Sequence, residues 1–109
     1  MQRVAQVVRL RPEALVRYEE LHASVWPDVL RTIKACNISN YSIFLYEPEL
    51  LLFAYFEYTG EDFDADQARI AADPVTQEWW SITMPLQEPL EGRAEGEWWA
   101  PAREVFHLD

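Results

Sequence analysis

Two apolar runs separated by only three residues constrain this chain more than any other feature. Residues 41–46 read Tyr-Ser-Ile-Phe-Leu-Tyr, residues 50–58 are almost wholly apolar or aromatic, and Glu47-Pro48-Glu49 lies between them. Both runs carry the β-branched and aromatic residues that suit a pleated surface. So short a link joins antiparallel neighbours, because a parallel pair needs a crossover of a dozen residues or more. The centre of the chain is therefore expected to be a hairpin, strands two and three of a sheet.

The flanks supply the rest of the order. Residues 3–10 (Arg-Val-Ala-Gln-Val-Val-Arg-Leu) read as strand one. From Glu13 to Cys36 the period becomes helical, with Leu15, Tyr18, Leu21, His22, Val25, Val29 and Ile33 at three- and four-residue steps. Pro27 interrupts it, since a mid-helix proline removes a hydrogen bond and pushes Trp26 off helical angles. Two pieces, about 13–23 and 27–36, joined by a bend, are expected, with the bend aiming His22 and Trp26 into a cavity. Residues 37–40 (Asn-Ile-Ser-Asn) read as a turn. A helical region from 60–64 to 72 follows, then Asp73-Pro74 as N-cap and first position of a helix to about Met84. Residues 85–101 read as a long loop and 103–108 as a final strand. The order β-α-β-β-α-β is the ferredoxin-like arrangement, an α+β fold with an antiparallel sheet. With helices on one side, the other face of the sheet needs cover, and strand three is apolar on both sides. A homodimer burying that face is the expectation.

Length and charge exclude several functions. The chain has 109 residues, enough for one domain spanning 1–109, and 50% are hydrophobic, too many for a disordered chain. Nineteen acidic residues against nine basic ones give a net charge of −10. That balance disfavours nucleic acid, an anionic membrane and polyphosphates, and leaves a neutral small molecule open. No apolar run approaches a membrane span, and the first residues do not read as a signal peptide. With the single Cys36, they suggest a cytoplasmic protein without disulfides or a cysteine zinc site. Three glycines, at 60, 92 and 96, cannot build a phosphate loop or a dinucleotide fingerprint.

Few side chains remain for chemistry. His22 is one of two histidines and shares a helix face with Tyr18, four residues earlier. An isolated helix histidine is most often partly buried and idle. Here Tyr18, His22 and Trp26 form a row of polar-tipped rings leading into the proline bend. Trp79-Trp80 point about 100° apart on a helix, so one is expected in the core and the other in a pocket. An indole offers a sugar a flat apolar face and one N–H donor. Tyr41 is a plausible strand-end ligand contact, or simply a sheet aromatic. His107 reads as structural or interfacial, and Trp98-Trp99 fit either a dimer patch or a lid.

Taken together, Tyr18-x-x-x-His22-x-x-x-Trp26-Pro27, Asn40-Tyr41-Ser42-Ile43, Trp79-Trp80 and the ending Glu104-Val105-Phe106-His107-Leu108 resemble the L-rhamnose mutarotase family. The resemblance runs nearly end to end. It implies a dimeric α/β barrel of ferredoxin-like subunits that interconverts the α and β anomers of L-rhamnose without a cofactor. It marks His22 as proton donor and Tyr18, Tyr41, Trp79 and Trp80 as sugar contacts. Asp28 stands where Glu is commoner, and the loop at 86–101 is longer and more aromatic than usual. Ring opening needs a proton delivered to the ring oxygen and one removed from the anomeric hydroxyl, with the second group either Tyr18 or a water. Two other classes share this fold expectation: cofactor-free monooxygenases of aromatic polyketides, and non-catalytic small-molecule-binding modules.

Overall fold

The computed structural model describes all residues from Met1 to Asp109. Strand β1 (Gln2–Leu10) leads through a 3₁₀ turn at Pro12–Ala14 into α1 (Leu15–Ala23). Helix α1 stops at Ala23 with Ser24 as its cap, and α2 (Pro27–Ala35) follows the expected break at Trp26, whose non-helical backbone opens the next helix and whose carbonyl accepts its first bonds. The hairpin consists of β2 (Ile38–Tyr46) and β3 (Leu51–Tyr58), joined by the Glu47–Glu49 turn and left-handed Leu50 (φ 53°). Helix α3 (Phe63–Ala72) is capped by Asp62 and α4 (Pro74–Thr83) by Asp73, whose carboxylates accept from Ala65 N and Thr76 N. Two short strands, β4 (Gln87–Glu88) and β5 (Ala100–Ala102), complete the sheet.

The strand order is β2-β3-β1-β4, all antiparallel, with β5 also on β1. This is the ferredoxin-like order and an α+β fold, as the sequence implies. No helix is long and apolar enough to cross a membrane.

Three boundaries differ from the sequence reading. Strand two begins at Ile38 rather than Tyr41, because Ile38 is buried and pairs with Tyr58. The turn-like character of Asn37 and Asn40 is real at the backbone level, with φ 69° and 48°. Asn37 ends the helical connection, whereas Asn40 sits in an irregularity of the ladder between Ser39 and Ser42. The expected final strand at 103–108 is not a strand; the edge of β1 is taken earlier by β4 and β5. Glu88 faces Arg9 while Ala100 faces Val7, so residues 89–99 loop out between partners only two positions apart. Beyond β5 the same register sets Glu104 opposite Arg3. There the ladder has ended, and Arg3 Nε donates to the carboxylate at 2.8 Å instead. Past that pair nothing covers the tail, and Val105, Phe106 and Leu108 are exposed.

Alternation along the strands sorts the two faces. The helix-covered face carries Val4, Gln6, Val8 and Leu10 from β1 and Leu52, Ala54, Phe56 and Tyr58 from β3. It holds two separate cores. Val8, Leu10, Ala14, Tyr18 and Leu52 form one, and Cys36, Ile38, Phe56, Tyr58 and Ile70 the other. Between them the facing pair is Gln6 and Ala54, one polar and one small. Two such residues at mid-sheet cannot fill the space beneath the helices, and a cavity opens there.

Candidate active site

The cavity measures about 500 Å³, in the range of small-molecule sites. All five residues singled out from the sequence line it: Tyr18 and His22 from α1, Tyr41 from β2, Trp79 and Trp80 from α4. Elements far apart in sequence thus deliver their side chains to one space, floored by the sheet and roofed by helices.

His22 sits one turn after Tyr18 and stacks on its ring. Its Nδ1 lies 2.9 Å from the Tyr18 main-chain carbonyl oxygen. A carbonyl can only accept, so Nδ1 carries the hydrogen and Nε2 of the neutral ring has the free lone pair. Burial lowers the pKa of His22 from its ordinary 6.5, against a smaller upward pull from that carbonyl. The resting imidazole is accordingly a neutral acceptor at pH 7.

The tryptophans divide as their 100° separation requires. Trp79 is only 5% exposed and meets His22 edge-on at 5.4 Å and Trp26 at 5.1 Å, while Trp80 is 36% exposed. Both still line the cavity. Trp26 itself does not; the bend turns it against Trp79, where it buttresses the wall instead of facing a ligand. Tyr41 packs on Phe56 at 5.3 Å, and desolvation pushes its hydroxyl up to about 12. Tyr18 is also pushed up to about 12 by burial, only partly offset by a bond from Gln87. Both phenols keep their hydrogens near neutral pH.

Several lining residues carry no signal in the sequence. Gln6, Gln67 and Gln87 reach the cavity from β1, α3 and β4, and isolated glutamines have no recognisable spacing. The Gln67 side-chain nitrogen is buried without a partner. Trp98 and Trp99 line the cavity as well and pack against the core around Val8 and Leu10. His107 lies away from this site, on the exposed tail, where it pairs with Asp109 at 2.6 Å. No three His, Cys, Asp or Glu side chains converge as metal ligation requires.

The site therefore offers one neutral base, two protonated phenols, flat aromatic walls and scattered amides. That set suits proton exchange on an uncharged polyol. Comparison with known proteins agrees. The L-rhamnose mutarotase family model matches residues 3–108. An L-rhamnose mutarotase of Lactiplantibacillus plantarum is 34% identical over 109 residues, covering all of both chains. An L-fucose mutarotase of Xanthomonas campestris pv. campestris is 34% identical over 114 residues, covering 99% of this chain and 89% of that one. The crystal structure of an L-rhamnose mutarotase from Formosa agariphila shares the fold over the full length of both chains, with TM-score 0.80 at 24% identity.

Proposed function

The chain belongs to the L-rhamnose mutarotase family, and we propose that it interconverts the α and β anomers of L-rhamnose in this cavity with His22 moving the proton. It is an isomerase. The observation that carries the assignment of His22 is its bond to the Tyr18 carbonyl, which leaves Nε2 as a free acceptor.

The chemistry follows from the substrate. The anomeric oxygen and the ring oxygen share one carbon, so a single nitrogen can serve both in turn. Nε2 takes the proton of the anomeric hydroxyl as the C1–ring-oxygen bond breaks and the carbonyl forms. The imidazolium then gives that proton to the departing ring oxygen, which makes His22 the donor in the second half of the step. Rotation about C1–C2 turns the other face of the carbonyl toward the hydroxyl, and the same transfers in reverse close the opposite anomer. His22 ends neutral. Trp79 and Trp80 give the sugar's C–H face an apolar platform, and Tyr18 and Tyr41 present hydroxyls to its oxygens. The amides and the threonines Thr76 and Thr83 in the wall favour this reading over an oxygenase acting on a large aromatic substrate.

The open face of the sheet supports a homodimer. In register, Ala100, Val7, Phe53 and Phe44 form one apolar row across β5, β1, β3 and β2, and Phe53 and Phe44 are 43% and 63% exposed. A second copy is the occupant that returns this row to an apolar environment. The whole chain acts as one domain, and we place it in the cytoplasm, where lone Cys36 stays reduced.

The test is one-dimensional NMR saturation transfer between the anomeric protons of L-rhamnose. His22→Asn keeps size and hydrogen bonding but cannot exchange a proton near neutral pH. Exchange should fall at least ~10²-fold with the fold and much of the affinity retained. His107→Asn should exchange at the parent rate. Parent-like exchange by His22→Asn would overturn the assignment.

A further inference from the structure

A chain of three side chains runs behind Tyr18. Trp98 Nε1 donates to Gln87 Oε1 at 2.8 Å, and Gln87 Nε2 donates to the Tyr18 hydroxyl oxygen at 3.1 Å. Gln87 and Tyr18 are buried, and all three line the cavity. The direction of this relay is forced. An indole N–H can only donate, so the amide oxygen must face Trp98. The amide nitrogen then faces Tyr18, and it too can only donate. The phenol oxygen is committed as an acceptor on that side. Its single hydrogen must point elsewhere, and the open neighbour is the cavity.

We propose that Gln87, oriented by Trp98, is a positioning residue that fixes the direction of the Tyr18 hydroxyl, so that Tyr18 presents its hydrogen to the sugar as a hydrogen-bond donor. This rests on the mutarotation reading of the cavity. A pyranose ring oxygen has lone pairs and no hydrogen, so it can only accept; the anomeric hydroxyl has a hydrogen to give. A phenol held as donor hydrogen-bonds the first, while His22 Nε2, resting as acceptor, takes the hydrogen of the second before passing it to the ring oxygen. The site thereby distinguishes two oxygens attached to the same carbon. Burial of the phenol, which holds its hydrogen in place, is consistent with that polarity. Trp98 reaches Gln87 from the segment looped out between β4 and β5, so the insertion in the sheet edge acts on the chemistry through one amide.

Two variants test this. Gln87→Met keeps length and removes both hydrogen bonds. Trp98→Phe leaves Gln87 in place but frees its amide to flip. Both should lower kcat for anomer exchange, Gln87→Met by about 10-fold or more and Trp98→Phe by less, with KM little changed. In a Tyr18→Phe background Gln87→Met should cost nothing further, because Gln87 acts through the phenol. The ¹³Cζ resonance of Tyr18, which reports the hydrogen-bonding state of its hydroxyl, should shift in Trp98→Phe; this readout needs no activity. Full additivity of Gln87→Met with Tyr18→Phe, or an unmoved Tyr18 resonance, overturns the proposal. Absence of anomer exchange in the parent would sink the mutarotation reading instead, and the resonance would still decide the relay. Should Gln87→Met fail to fold, Trp98→Phe carries the test alone.

Discussion

His22 lies stacked on Tyr18, ring centroids 4.1 Å apart and planes 23° from parallel. Positions four apart on a helix lie one above the other, and here that spacing joins the proposed proton carrier to its neighbouring hydroxyl on one rigid wall. The phenol face also suits the imidazolium of the proposed step, since a cation is attracted to an aromatic ring. The stack thus supports the imidazole in both charge states.

The pH profile of anomer exchange should follow from the burial of His22. Neutral imidazole is the working form in the proposed step, and burial lowers its pKa below the ordinary 6.5. The rate should therefore stay flat from alkaline pH down past 6.5 and fall only below that, through the lowered pKa. Stability has the same sign. Folding disfavours protonation, so the contribution of His22 is present above 6.5 and lost as pH falls through its folded pKa. Saturation-transfer rates across this range check it. A rate that climbs on acidification would show that the imidazolium is the form required at the outset.

Trp79 and Trp80 should separate stability from binding. Trp79 is 5% exposed and braced by Trp26, so Trp79→Ala should destabilise by about 3–5 kcal/mol. Trp80, 36% exposed at the cavity wall, should lose much less stability on the same change while L-rhamnose binding weakens. Chemical denaturation and tryptophan fluorescence titration with the sugar give the two quantities. Equal destabilisation by both variants, with affinity untouched, contradicts the platform.

Gly60 should resist even a methyl group. A Cβ there would lie 2.4 Å from the Tyr58 hydroxyl oxygen and 2.7 Å from Asp66 Oδ2. Those atoms cannot yield cheaply, because the Tyr58 hydroxyl donates to Asp66 at 2.5 Å while Asn37 and Arg69 hold the same carboxylate. Gly60→Ala should cost about 1–3 kcal/mol in a denaturation series. A variant as stable as the parent would mean that this network is free to shift.

Assembly should depend on the open sheet face. Phe53→Lys places a charge in the centre of the apolar row beside Val7 and Phe44. Light scattering at micromolar concentration should give a dimer for the parent and a monomer for this variant, without loss of the hairpin's circular-dichroism signal. A monomeric parent would end the proposal.

Most of the scaffold was legible because its signals are local. Period changes, Trp26-Pro27, Asp73-Pro74 and the three-residue link at 47–49 each act within a few residues, and the structure places helices and hairpin accordingly. The aromatic residues of the cavity were legible for the same reason, as they recur at helical or strand spacing. The fourth strand was not. Its pairing depends on which residues can reach a free edge of β1, and the apolar ending at 105–108 imitates a strand although β4 and β5 have already taken that edge. Gln87 was invisible because its importance lies in the amide's partners, Trp98 and Tyr18, which lie eleven and sixty-nine positions away in sequence.

The interrupted edge of β1 has an evolutionary corollary. Residues 89–99 leave and rejoin the sheet at neighbouring points, so the stretch 89–97, ahead of Trp98, can be lengthened, shortened or rewritten while both anchor strands stay put. Helix α1, with His22, is untouched by such edits. Within the looped-out segment, Trp98 is committed to its bond with Gln87, and the residues before it are the adjustable ones. Grafting alternative versions of residues 89–97, with Trp98 and Trp99 kept, is thus a direct route to retuning sugar preference without redesigning the reaction.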